Sequence, residues 1–307
     1  FVVAGASSRY ALRTRTPKEF RKERTRKLLV PSTLGLLTYG GVLGLMNMHI
    51  AGAVIPEEVP LFFRWLIAVA SGTGPLWFLQ DLLGFSLLLL LVRKVADVER
   101  VDEWLQRLPK WGLGVLMIGF LGVLWLASQS QIDNPTAAQG LLNLYRPVFY
   151  FVAFLAGYFI FSSERVHDYL AERAGALIVA AAVSAVGFCS EFYGKDYTSP
   201  EAVQGLWCNL FCWSAALAFL GAFRRWANGT SRFAGYMTRS SFGLYVVHMA
   251  VCTGSCLLLR SSGLPVWAIY LLAIAMTYVG SFAVYELLRR VPILNYCIFG
   301  IKSKRGK

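Results

Sequence analysis

A chain of 307 residues that is 56% hydrophobic and 14% aromatic, with a mean hydropathy of +0.53, lies outside the range of soluble globular domains of that size. Its net charge of +13 invites a nucleic-acid reading, but the basic residues are divided among short segments that flank apolar stretches. Only residues 13–27 are dense enough in charge to hold a polyanion, and anionic lipid headgroups satisfy that segment equally well.

In chain order, the sequence opens on Phe1-Val2-Val3-Ala4-Gly5-Ala6, apolar and without a Met, and reaches basic residues about twelve positions later. A signal peptide has the reverse order, with charge first and a cleavage site after the apolar stretch. The start therefore reads as a partial helix descending from outside, with an earlier helix upstream of it. Eight stretches then approach the roughly 20 apolar residues that a helix needs to cross the hydrocarbon core. They are residues 28–50, 75–92, 111–127, 144–161, 174–189, 203–223, 241–259 and 266–285. Residues 60–70 are apolar but too short to cross, and Ser71-Gly72-Thr73-Gly74-Pro75 breaks them from the next span, so they read as an interfacial or re-entrant piece.

The basic residues orient this array. Of the 30 Lys and Arg residues, 26 fall in alternate connecting segments: nine before Leu28, five from Arg93 to Lys110, two from Arg165 to Arg173, four from Arg224 to Arg239 and six after Glu286. Only Arg64, Arg146, Lys195 and Arg260 lie elsewhere. Cations resist translocation, so the basic segments face the cytoplasm. The expectation is an all-α, polytopic membrane helix bundle of about eight full spans. It forms one membrane-embedded domain over residues 1–307, in the plasma (inner) membrane, with the C-terminus cytoplasmic and no nucleic-acid partner.

An ionisable group inside a membrane is expensive and marks a functional candidate. Arg64, Asp81, Arg146 and His248 lie within or at the edge of apolar stretches, and His49 closes one. His248 is the deepest histidine, and a neutral imidazole suits a general base for a hydroxyl; a hydrogen bond to a neighbouring helix is the structural alternative. Asp81 is placed to orient a hydroxyl or to pair with Arg64 or Arg146, and Trp77 suits an interfacial belt or a substrate platform. Cys208/Cys212 and Cys252/Cys256 are i,i+4 pairs with no His or carboxylate at ligand spacing, so they read as small core residues and no metal is expected. A disulfide between extracytoplasmic ends, for example Cys189 with Cys208, is compatible with this topology. Asn228-Gly229-Thr230 spells a glycosylation acceptor but falls in a segment read as cytoplasmic. There is no P-loop, Rossmann fingerprint, nucleophile elbow or HExxH.

Five segments carry a resemblance. They are Ser7-Ser8-Arg9-Tyr10-Ala11-Leu12-Arg13 with Phe20 to Pro31, Gly74-Pro75-Leu76-Trp77-Phe78-Leu79, Leu155-Ala156-Gly157-Tyr158, Ser240-Ser241-Phe242-Gly243-Leu244-Tyr245-Val246-Val247-His248-Met249, and Tyr285-Glu286-Leu287-Leu288-Arg289-Arg290-Val291-Pro292. In order and spacing they resemble the integral-membrane acyltransferase-3 family, multi-span O-acyltransferases that include glucan succinyltransferases and polysaccharide O-acetyltransferases. The resemblance implies transfer of an acyl group, acetyl or succinyl-like, from cytoplasmic acyl-CoA to a hydroxyl of an extracytoplasmic carbohydrate or related acceptor, with acyl-CoA as co-substrate and no cofactor. The family's cytoplasmic Arg-x-x-Arg signature, implicated in donor handling, is matched by Arg24-Thr25-Arg26-Lys27. Lys lacks the bidentate fork, so Arg24 and Arg26 carry more of the donor binding than Lys27. The resemblance places the family's catalytic His on a first helix without a counterpart here, so either that helix lies upstream of these residues, which the Met-less apolar start favours, or His248 or another group takes the role. Pro75 stands where many relatives have a His. Trp77, Asp81 and Arg146 are the acceptor-side candidates. Two rivals stand beside this reading: a transporter or flippase of an anionic lipid or sugar, which lacks the internal repeats typical of its class, and a non-catalytic relative.

Overall fold

The computed structural model describes residues 1–130 and 146–301. The basic tail 302–307 and most of the expected outer loop 128–143 lie outside the described residues. Every regular element among those described is helical. In chain order these are α1 (Val2–Thr14), α2 (Pro17–Arg24), two π-helical stretches (Thr25–Leu29 and Pro31–Gly40), α3 (Gly41–Ala51), α4 (Leu61–Ser71), a 3-10 turn (Gly74–Leu76) and α5 (Trp77–Val92). They continue with α6 (Val98–Arg107), α7 (Lys110–Ser128), α8 (Pro147–Phe159), α9 (Glu164–Glu172), α10 (Ala174–Phe192) and α11 (Pro200–Gln204). The last are α12 (Leu206–Trp226), α13 (Arg232–Leu259), α14 (Val266–Arg290) and α15 (Pro292–Phe299).

Seven of these segments are long and apolar enough to cross a membrane: Pro17–Ala51, Gly74–Val92, Lys110–Ser128, Ala174–Phe192, Leu206–Trp226, Arg232–Leu259 and Val266–Arg290. The protein is a multi-pass, all-α membrane protein. The expected span 144–161 differs: its helix α8 has 13 residues, about 20 Å of rise against a core of about 30 Å. It bends by 103° into α9, whose charged sequence Glu-Arg-Val-His-Asp suits a water-facing surface.

The basic segment 13–27, expected to be a loop, is largely helical. α1 continues to Thr14 and α2 starts at Pro17. Thr16 and Glu19 cap each other, the Thr16 amide donating to Glu19 Oε2 at 2.9 Å and the Glu19 amide to Thr16 Oγ1 at 3.3 Å, with Pro17 at the first helical position. From Pro17 the chain runs as a single helix of 35 residues to Ala51, about 52 Å and longer than the hydrocarbon core is thick. Lys18, Arg21, Lys22, Arg24, Arg26 and Lys27 all lie near its N-terminal end. Pro31 supplies no amide proton, and the turns on either side of it widen to π spacing.

Contacts group the described residues into two compact units, residues 1–20, 85–130 and 146–229 in one and residues 21–84 and 230–301 in the other. In the first, α1 and α8 touch backbone to backbone. A Cβ at Gly5 would collide with the Phe154 carbonyl, and one at Gly157 with the Val2 carbonyl, the small-residue contact by which helices associate in lipid. Its core gathers Leu113, Met117, Phe161, Leu170, Trp213 and Leu217, with the Trp213 Nε1–H donating to the Met117 carbonyl at 2.9 Å.

In the second unit α4 lies against α3 in the same manner. A Cβ at Gly44 would meet the Ala68 carbonyl, and one at Gly72 the Gly40 carbonyl. The break after α4 is where its sequence places it: Gly74 takes φ +46°, and a 3-10 turn leads into α5.

Candidate functional site

The second unit fixes His248 from several directions. α13 begins at Ser231, whose hydroxyl accepts from the Ala234 amide at 3.0 Å, and carries His248 half-buried, midway along its 28 residues. The imidazole Nδ1 lies 2.6 Å from the Tyr245 carbonyl of its own helix. That bond sets Nδ1 as the donor and leaves the Nε2 lone pair to accept a proton. The expected structural alternative, a bond to a neighbouring helix, is replaced by this bond within α13.

Two tyrosines hold the surrounding backbone. The Tyr39 hydroxyl donates to the Val247 carbonyl at 2.7 Å and accepts from the Ala250 amide at 2.9 Å. The Tyr245 hydroxyl donates to the Pro75 carbonyl at 2.7 Å, and Phe78 meets the Tyr245 ring edge-on at 5.4 Å. These contacts bring the first turns of α5, with Trp77 and Asp81 one turn apart, to the His248 segment. Gln80 Oε1 and Asp81 Oδ2 are buried there and accept no hydrogen bond from a described residue.

Of the alternatives for Asp81, the pair with Arg64 does not form among the described residues. Arg64 donates instead to the Val59 carbonyl, 2.6 Å from Nε, and to the Glu57 carbonyl, because the turn before α4 presents those oxygens closer to hand. Arg146 belongs to the first unit, where it is 8% exposed, donates to the Val203 carbonyl at 3.4 Å and lies 4.2 Å from the centre of the Phe149 ring.

At the basic end of the long helix, Arg24 closes α2 and Arg26 and Lys27 occupy the first π-helical stretch. Lys27 is paired with Glu23 at 2.6 Å. Arg26 Nε is buried with no hydrogen-bond partner among the described residues. Gly300, the left-handed cap of α15, packs close to the Arg26 carbonyl, where a Cβ would come within 2.6 Å of the oxygen.

Three groups escape a reading by sequence. Tyr39 and Tyr245 act on backbone groups far away in the chain. Arg9, counted among the cytoplasmic basic residues, is 5% exposed in the first unit and donates to Ser162 Oγ at 3.0 Å and to Asp102 Oδ2 at 3.2 Å. It borders a pocket of about 520 Å³ shared with Arg13, Arg93 and Tyr158. The only local sign was its place shortly after the apolar opening Phe1–Ala6. The cysteine expectation is corrected: none of the six is buried and all are free thiols. In a membrane helix the outward face is as apolar as the inward one, so a thiol is at home on either. Among the described residues no group of three or more His, Cys, Asp or Glu could hold a metal ion.

The family model of an acyltransferase domain, acyltransferase family 3, matches residues 1–286. No curated protein and no solved structure matches the chain.

Proposed function

The chain belongs to acyltransferase family 3 and is an acyltransferase, and from that premise we propose that it moves an acyl group from acyl-CoA in the cytoplasm to a hydroxyl of an extracytoplasmic carbohydrate. Arg24 and Arg26, with Lys27 beside them, receive the phosphates of the donor. Trp77 and Asp81 face the acceptor. The protein sits in the plasma (inner) membrane with its C-terminus cytoplasmic, in keeping with the charge bias.

In the reaction, the acceptor hydroxyl gives its proton to His248 Nε2 as its oxygen bonds to the thioester carbonyl carbon. The tetrahedral oxyanion collapses, the C–S bond breaks, and CoA leaves as a thiol after taking the proton back from the imidazolium. The Nδ1 contact with the Tyr245 carbonyl is the observation that carries this reading. It holds the ring in the tautomer a base requires and stabilises the imidazolium formed on the way.

The test is thiol release from acetyl-CoA and succinyl-CoA by the protein in lipid nanodiscs, with and without acceptor. His248→Gln is expected to lower kcat by about 10²-fold or more with the donor KM little changed. An unaltered kcat in that variant removes His248 from the chemistry.

A further inference from the structure

The end of the long helix opposite the basic residues, together with residues 53–55 and α4, lines an open pocket of about 780 Å³ within the second unit. Much of its wall is aliphatic and aromatic, yet the imidazole of His49, the guanidinium of Arg64 and the indole of Trp65 also line it. None of the three is used by the acyl-transfer chemistry above.

Trp65 is held in place before any ligand arrives. Its Nε1–H donates to the Leu37 carbonyl at 2.9 Å, and its ring lies over Gly41, where a Cβ would run into the six-membered ring. With the N–H engaged and one face seated, the indole has only π surface to offer the pocket. Arg64 is likewise fixed by the Val59 and Glu57 carbonyls, and of its five N–H donors those on Nη1 are not needed for these bonds. His49 is exposed and can donate or accept.

A rigid aromatic face beside fixed hydrogen-bonding groups suits a pyranose, whose C–H face is apolar and whose rim carries hydroxyls. A purely aliphatic ligand would leave the guanidinium and imidazole without a role. An anionic one would approach the exposed carboxylates of Glu57 and Glu58 on the turn before α4. We infer that this pocket is the acceptor's carbohydrate subsite, taking a neutral pyranose stacked on Trp65 and hydrogen-bonded by Arg64 and His49. The inference rests on the carbohydrate-acceptor reading above and names the residues that would grip that acceptor.

The experiment is a calorimetric titration of the wild-type protein in nanodiscs with laminaritriose and with maltotriose, repeated on Trp65→Ala and His49→Gln. The second variant keeps a polar side chain at an exposed position and so guards against misfolding in the first. Saturable binding is expected, weakened about tenfold in each variant, with a matching rise in acceptor KM at constant kcat. Failure of the wild type to bind either trisaccharide, or equal binding by all three proteins, overturns the subsite. Binding is read without acyl-CoA, so the two readings separate. Trp65-dependent sugar binding without any acyl transfer would sink the O-acyltransferase proposal alone, whereas normal transfer with unchanged acceptor KM in both variants would sink the subsite alone.

Discussion

Arg9 and Arg24 are both among the nine basic residues before Leu28, and they end in opposite conditions. Arg9 is drawn inside the first unit, with its guanidinium divided between Ser162 and Asp102. Arg24 ends the first helical turns of the second unit, half-buried and next to Arg26 and Lys27, the latter paired with Glu23 one turn away. A guanidinium buried against fixed protein partners is part of the scaffold, and one that stays partly exposed among other cations remains within reach of a ligand's phosphates. Counting charges along a sequence merges these two uses of arginine, and burial separates them.

The sharpest way to break that contrast is Arg9→Ala. Removing Arg9 from this part-buried ion pair leaves Asp102 uncompensated and is expected to cost about 2 kcal/mol, read as a fall in thermal unfolding temperature in detergent. A stable Arg9→Ala protein that instead lost affinity for acyl-CoA would move Arg9 to the ligand side. The double variant Arg24→Gln/Arg26→Gln should do the reverse. The expected outcome is an unfolding temperature close to wild type and a donor KM raised about tenfold, equivalent to about 1.4 kcal/mol; a large loss of stability would place these arginines in the scaffold too.

The smallest effect belongs to the exposed Lys110–Glu172 pair, 2.8 Å apart. The Lys110 ammonium, by its hydrogen bond, holds the Glu172 carboxyl below the ordinary carboxylate range. Its folded pKa being depressed, any stabilisation is present above the unfolded value of about 4.3 and is lost as pH falls through the lower folded value. Glu172→Gln should therefore melt with wild type at strongly acid pH and at most slightly below it at neutral pH. Surface pairs of this kind contribute little, and a clear deficit at neutral pH would show that this one does more than decorate the surface.

Much of the fold was legible because a membrane span is specified by composition over about 20 residues. The Ser71–Pro75 break was legible because glycine and proline act locally. What failed did so for identifiable reasons. The weight of charge in residues 13–27 hid the Thr16-Pro17-Lys18-Glu19 start of a helix. The end of α8 came early because Ser162 and Ser163 precede a charged segment that cannot follow it into hydrocarbon. The cysteines were misplaced because a helix apolar on all sides gives no inward direction. At the site, His248 could be singled out by its depth. The residues that set its geometry could not, because the Tyr39–Val247 and Tyr245–Pro75 bonds join positions 208 and 170 residues apart.

Those two tyrosine hydroxyls have a mechanical consequence. A smooth apolar helix in a bilayer is free to roll about its long axis at little cost, since lipid meets every face alike. Tyr39 grips α13 at two backbone atoms, and Tyr245 reaches out from α13 to a third point on the Pro75 backbone. A roll of even part of a turn would break all three attachments at once. The compass heading of the imidazole is thus set by its neighbours, and at each tyrosine a single oxygen atom holds the bearing.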